Sequence, residues 1–182
     1  IFGMMKPLID SPPRTMMEVY KSLPEGTLAE LIENNLFMSP SPLPRHQLVL
    51  NEINFQLLLY FKQTKNGMVY ISPFDVYLDE SSNAVQPDLT IVLNNNPVEV
   101  QPDGHFRGVP DMLIEILSHG NKDHDRVKKK ALYERFGVKE YWMVDPETKV
   151  TEGYTLKGGV YASLTGETGK FSSPLLGIEI IF

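Results

Sequence analysis

From Arg45 to Lys65 the apolar residues Val49, Leu50, Ile53, Leu57, Leu58 and Phe61 recur at spacings of three and four, which predicts a helix with one buried stripe. Asn66-Gly67 ends it. Ahead of the helix, residues 28–38, LAELIENNLFM, form two short apolar-rich runs around Glu33, Asn34 and Asn35. Asparagine tolerates the positive φ of a tight turn, so a β-hairpin is expected there. The SPSPLPR that follows carries three prolines in seven residues and reads as a loop. Beyond the helix, MVYIS, PFDVYLDE, QPDLTIVL and DMLIEILS are β-branched and aromatic runs separated by turn residues, which predicts three or more adjacent strands. Helical periodicity returns over residues 122–136, with Leu132 and Phe136 on one face and Gly137 as a stop. A strand, EYWMVD, follows at once, and the Gly- and Thr-rich remainder from Lys149 to Phe182 reads as a terminal β-meander. The order is hairpin, helix, three strands, helix, strand and further strands, an α/β (α+β) class. No repeat or long linker divides the chain, so residues 16–182 are expected to form a single domain, with residues 1–15 as an N-terminal extension.

Composition narrows the chemistry. The chain of 182 residues carries 17 Lys plus Arg against 23 Asp plus Glu, a net charge of −6, and its 42% hydrophobic content is enough for one ordinary core. There are no cysteines, which removes disulfides, Cys-ligated zinc, iron-sulfur clusters and cysteine nucleophiles, so any metal must be held by oxygen or imidazole. The longest apolar stretch, Leu57 to Phe61, falls far short of the roughly 18 to 20 residues of a membrane span. A soluble protein with no membrane partner is expected, and a cytoplasmic location follows by default because no basic-then-apolar leader is visible. Charge is uneven: residues 119–135 hold six basic residues against three acidic ones, a local balance of +3 within an acidic chain.

Candidate chemistry begins with the run from Asp111 to Ser118. Alternation puts Asp111, Leu113, Glu115 and Leu117 on one face and Met112, Ile114, Ile116 and Ser118 on the other. Glu115 thus lies in an apolar strand, where an ionised carboxylate is costly unless it meets a cation, a metal or good donors; the plainer alternative is a strand-end Glu that reaches solvent or an Arg. Asp88 follows Pro87 and leads directly into LTIVL, although Pro-Asp is also an ordinary turn signal. Two carboxylates on consecutive strands make a hard oxygen site suited to magnesium or manganese. With Leu132 at zero and about 100° per residue, Asp125 falls near 20° and Lys129 near 60°, both on the sheet-facing side. Lys129 can therefore face Glu115, or it can simply pair with Asp125 or snorkel past the core edge. A carboxylate pair with a lysine is the minimum for metal-dependent phosphodiester hydrolysis. His46, at the start of the first long helix, can approach a phosphate or metal or merely cap the helix. His119, Asp123, His124 and Asp125 resemble metal ligands by composition but lack an H-E-x-x-H spacing, and Gly166 to Lys170, GETGK, lacks the first Gly of a P-loop.

The strings AELIENNLFMSPSPLPRHQ, VQPDLTIVL and LIEILSHGNKDHDRVKKKALYERFGVKEYWMVDP occur in order, and together they resemble the Uma-type family of restriction endonucleases, long catalogued as a domain of unknown function and abundant in cyanobacteria. The resemblance implies a restriction-endonuclease-like core of the PD-(D/E)XK superfamily: helix, three strands, helix, strand. It implies that Pro87-Asp88 supplies the PD and Glu115 the next acid, with Asp88 and Glu115 as metal ligands. Position 117 is Leu where the superfamily has Lys; the resemblance moves that lysine to the following helix, to Lys129, with Lys128 as its nearest rival. Auxiliary positions that match are Glu30 in the hairpin, His46, Asp75 on the first core strand and Asp125. Asn34-Asn35 and His119 stand where the family usually has Gly and Pro. The implied activity is hydrolysis of DNA with magnesium or manganese, by a homodimer. Two rivals remain open: a nuclease-like module that binds nucleic acid or acts as a scaffold without cleaving, and a carboxylate-pair glycosidase.

Overall fold

The computed structural model describes residues 12–98, 106–118 and 124–182. In chain order the elements are α1 (Met16–Lys21), β1 (Ala29–Ile32), β2 (Asn35–Met38), α2 (Pro44–Thr64), β3 (Gly67–Ile71), β4 (Val76–Tyr77), β5 (Ala84–Val85), β6 (Leu89–Leu93), β7 (Phe106–Arg107) and β8 (Met112–Ile116). A π-helical turn (His124–Lys129) then runs directly into α3 (Lys130–Phe136), followed by β9 (Glu140–Val144), β10 (Thr151–Lys157), β11 (Val160–Leu164), β12 (Lys170–Ser173) and β13 (Ile178–Ile181).

The main sheet has six strands in the order β11-β10-β9-β8-β6-β3. All its pairs are antiparallel except β8 with β9, and a parallel pair needs a crossover, which the π-helical turn and α3 provide. One face is covered by α2, whose Val49, Leu50, Ile53, Leu57 and Phe61 pack on Leu89, Ile91, Met112, Ile114 and Ile116. The other face carries Leu113, Leu117, Tyr141 and Met143 against Leu132 and Tyr133 from α3. Both faces of β8 are therefore buried, which is why its sequence reads as a nearly continuous apolar run interrupted by Glu115. Among the described residues no helix is long and apolar enough to cross a membrane.

The helix, three strands, helix, strand core is present, and several details differ from the pattern reading. Leu58, expected in the buried stripe of α2, is exposed. The helix ends at Thr64, within a residue of the expected end, and Lys65 rather than Asn66-Gly67 takes the left-handed cap conformation (φ 53°). The hairpin turn is formed by Glu33 (φ 49°) and Asn34 (φ 61°), because Ile32 pairs directly with Asn35. PFDVYLDE contributes only the two residues of β4, and these join a second sheet, β2-β1-β5-β4-β7. Strands of two residues are too short for alternation to register, so β4, β5 and β7 left no pattern to read, whereas β1 and β2 of the same sheet are the expected hairpin. The C-terminal meander is split: β10 and β11 extend the main sheet, whereas β12 and β13 pair separately. Phe171, Ile180 and Phe182 from that pair close the α2 side of the core.

Trp142 on β9 is fully buried, stacks on Phe171 at 4.5 Å and donates its indole N–H to Glu140 Oε1 at 2.6 Å. Gly153 lies directly opposite it in the β9–β10 register, and a Cβ there would fall inside the indole ring. Gly153→Ala is therefore expected to destabilise the protein by about 1–3 kcal/mol through overpacking. Urea unfolding measures this, and an unchanged midpoint would contradict the placement of the indole.

Candidate active site

The β6–β8 register pairs Leu89 with Ile114, Thr90 with Leu113 and Ile91 with Met112. One step further along the same ladder, Asp88 stands opposite Glu115. Alternation then puts both carboxylates on the α3 side of the sheet, since Leu89 and Ile114 face α2. Asp88 Oδ2 accepts the Ile116 backbone N–H at 2.7 Å and the His46 Nε2–H at 3.1 Å. Pro44 at the first position of α2 starts the helix two residues before His46 and so delivers the imidazole to this end of the sheet. His46 Nδ1 is buried with no hydrogen-bond partner among the described residues.

Lys129, the last residue of the π-helical turn, is buried and points at the same spot. Its Nζ donates to Glu115 Oε1 at 3.0 Å and lies 3.0 Å from Glu30 Oε1 and 3.4 Å from Asp125 Oδ1. Glu30 comes from β1 of the second sheet and also accepts the Gln86 backbone N–H at 2.9 Å. Tyr133, one turn after Lys129, donates to Glu115 Oε1 at 2.9 Å. Lys129 and Tyr133 thus share a single oxygen of Glu115, and Oε2 carries neither bond.

The electrostatics follow from one ammonium serving several buried acids. Burial pushes Glu115 up, Lys129 opposes this, and Asp125, Asp88 and Glu30 add to the rise, so its carboxyl sits well above the ordinary value. Asp125 is raised by burial in the same way. Burial also acts to raise Glu30, but Lys129, the His124 ring and the Gln86 N–H together hold it down at about 2. Burial alone would lower Lys129; the surrounding Glu115 and Glu30 outweigh that and keep it protonated far above its ordinary value.

Glu30, His46, Asp88, Glu115, Asp125 and Lys129 all line one cleft of about 730 Å³. The structure thus brings together six of the residues singled out from the sequence. Lys128 is elsewhere: it is exposed, with its Nζ 4.7 Å from the centre of the Phe37 ring. Asp75 requires a correction, since it precedes β4 in the second sheet and is not on the first core strand β3. It accepts from Tyr20 OH at 2.8 Å and Gln86 Nε2 at 2.7 Å, which makes it a support for Gln86 behind the cleft. His124 lies 3.8 Å from Glu30 Oε2 and packs on Phe37. His119, Lys122 and Asp123 lie outside the described residues. Tyr133 was not anticipated; its only sequence signal is its place four residues after Lys129.

The donor set fits a hard divalent cation. Glu30, Asp88, Glu115, Asp125 and Glu147 line the cleft with Lys129 and Arg45; because Arg45 is paired with Glu147, four carboxylates are left for one ammonium and acids are in excess. Among the described residues no three Asp, Glu or His side chains converge as a closed metal cage. Asp88 and Glu115 alone would hold the ion, leaving its other positions to water and substrate, which is how magnesium is commonly bound.

Residues 17–180 match the family model Uma2, described as "Putative restriction endonuclease". Among solved structures, the chain is similar to a crystal structure from Anabaena variabilis described as a putative nuclease belonging to DUF820. The TM-score is 0.71 at 20% identity, covering 91% of this chain and 92% of that one. Among curated proteins none matches the sequence.

Lys129→Met leaves Glu30 and Glu115 buried without their cation and is expected to cost about 3–5 kcal/mol at neutral pH. Without the ammonium both carboxyls prefer the neutral form, so their folded pKa values lie above the unfolded value of 4.5. The penalty should therefore be largest at neutral pH and fade as the pH falls towards that value, where both carboxyls are taken up neutral. Unfolding titrations of parent and variant at pH 4 and pH 7.5 test this; a cost independent of pH would contradict the shared ion pair.

Proposed function

We propose that this chain, which belongs to the Uma2 family described as "Putative restriction endonuclease", is a divalent-metal-dependent endonuclease that hydrolyses DNA phosphodiester bonds. The observation that carries the reading is the opposition of Asp88 and Glu115 on adjacent strands, with Lys129 at 3.0 Å from Glu115, inside one negatively charged cleft. Asp88 and Glu115 are the ligands of magnesium or manganese. When bound, that ion polarises the phosphoryl oxygen and offsets the charge that develops in the transition state.

The chain's own groups do the rest. Lys129 stays protonated, so it orients the attacking water and balances charge rather than removing a proton. Tyr133 fixes Glu115 by holding Oε1. His46 and the Ile116 N–H both hold Asp88 Oδ2, which fixes the second ligand in the same manner. Glu30 and Asp125 keep Lys129 in place. Residues 16–182 act as one domain, in the cytoplasm, as a homodimer with DNA as the substrate. A second reading, a nuclease-like binding or scaffold protein without activity, is favoured by one feature: Lys129 already has three carboxylates within 3.4 Å, which compete with substrate for its N–H groups.

The excess of carboxylates gives the first reading a distinctive signature. Without metal the cleft repels phosphate, so DNA binding should be weak in EDTA and strengthen at least tenfold with magnesium or manganese. Nicking of supercoiled plasmid in manganese should fall at least a hundredfold in Asp88→Ala, Glu115→Gln and Lys129→Ala. Activity that persists in these variants would overturn the site assignment, and full DNA affinity in EDTA would favour the scaffold reading.

A further inference from the structure

The main sheet ends at β3, whose only partner among the described residues is β6. The ladder between them is framed by Asn94 N–H donating to Asn66 O and Ser72 N–H donating to Asp88 O. Antiparallel pairing alternates, so Met68 and Tyr70 bond to β6 while the N–H and C=O groups of Gly67, Val69 and Ile71 point outward. Beside this open edge runs an apolar groove of about 570 Å³. On the α2 side it is lined by Phe55, Leu58 and Leu59 together with Val69 of β3, and it wraps over the strand edge to Met68 and Tyr70, whose side chains lie on the opposite face of the sheet. Phe55 is 61% exposed, Leu58 50% and Met68 54%; Ile71, the last residue of β3, and Leu48, two helical turns before Phe55 on α2, are exposed as well. Edge strands left in water are normally blunted by Pro, Lys, a bulge or an inward charge. GMVYI has none of these.

We propose that this groove and the open edge of β3 are the face on which a second copy of this chain docks, with the two β3 strands pairing antiparallel about a two-fold axis at Val69. A two-fold interface must be self-complementary, and an outward edge with its three bonding residues centred on Val69 is so by construction. Val69 then faces the partner's Val69, and Gly67 faces the partner's Ile71. All the outward groups are used, for about six backbone hydrogen bonds. The exposed apolar side chains of the patch offer on the order of 600 Å² per copy, close to the roughly 800 Å² that a stable interface takes from each partner. Lys62 is the one charged residue lining the groove, so little charge is buried.

The inference specifies the face for the two-copy assembly of the reading above, and it is independent of the chemistry in the cleft. It has a geometric consequence. Ser72 and Pro73, which follow β3, line the cleft; antiparallel pairing therefore places the two clefts at opposite ends of the joined strands, each acting on its own stretch of substrate.

Sedimentation or light scattering of the full chain at tens of micromolar tests it. The parent should give about twice the 20.6 kDa chain mass. Phe55→Glu combined with Met68→Glu, both at exposed positions, should halve that mass with an unchanged circular dichroism spectrum. Val69→Pro, which removes an outward N–H and no backbone bond to β6, should do the same. A monomeric parent, or a dimer that survives the double substitution, overturns the proposal. A monomer that still binds manganese and nicks DNA sinks the interface alone, whereas a dimer that does neither sinks the nuclease reading alone.

Discussion

A single buried ammonium ties this structure together. Lys129 meets Glu115 from the main sheet, Glu30 from the second sheet and Asp125 from its own helical turn, so one side chain joins three separate parts of the fold. Desolvating each of these ions costs several kcal/mol, and the attraction offsets this only because the partners are fixed and further hydrogen-bonded. Gln86 and Tyr133 provide those bonds to Glu30 and Glu115. The second sheet, which looks peripheral in outline, is what supplies Glu30.

The same arrangement is left unbalanced. Four carboxylates and one ammonium do not neutralise each other, and burial keeps Glu115 reluctant to ionise. A fold selected for stability alone would do better with apolar side chains at these positions. A small divalent cation between Asp88 and Glu115, as proposed, would relieve the imbalance, and Lys129, Tyr133, His46 and the Ile116 N–H hold the two acids through one oxygen of each. In this account the site gives up stability for readiness to bind.

Much of this was legible in the sequence because it rests on strong periodicities. The stripe of α2, the runs that became β3, β6, β8 and β9, and the misfit of Glu115 in MLIEI all follow from burial on one or both sheet faces. The helical projection also turns Asp125 and Lys129 inward, and it tolerates the π-helical turn because residues four apart remain neighbours there. What escaped notice lacked a period. The two-residue strands β4, β5 and β7 are defined by pairing rather than pattern, so Asp75, expected on the first core strand, in fact lies in the segment just before β4. Leu58 fits the stripe by spacing but lies beside the edge of β3, where no element among the described residues covers it. Tyr133 carries no signal of its own, since nothing in a sequence distinguishes a buried phenol that packs from one that also donates.

The most direct test of the central claim is a crystal structure grown with manganese and phased on its anomalous signal. The account predicts a single strong peak within coordination distance of one oxygen each from Asp88 and Glu115, with Lys129 still bonded to the other Glu115 oxygen. A peak bound elsewhere in the cleft, or none at millimolar manganese, would contradict it.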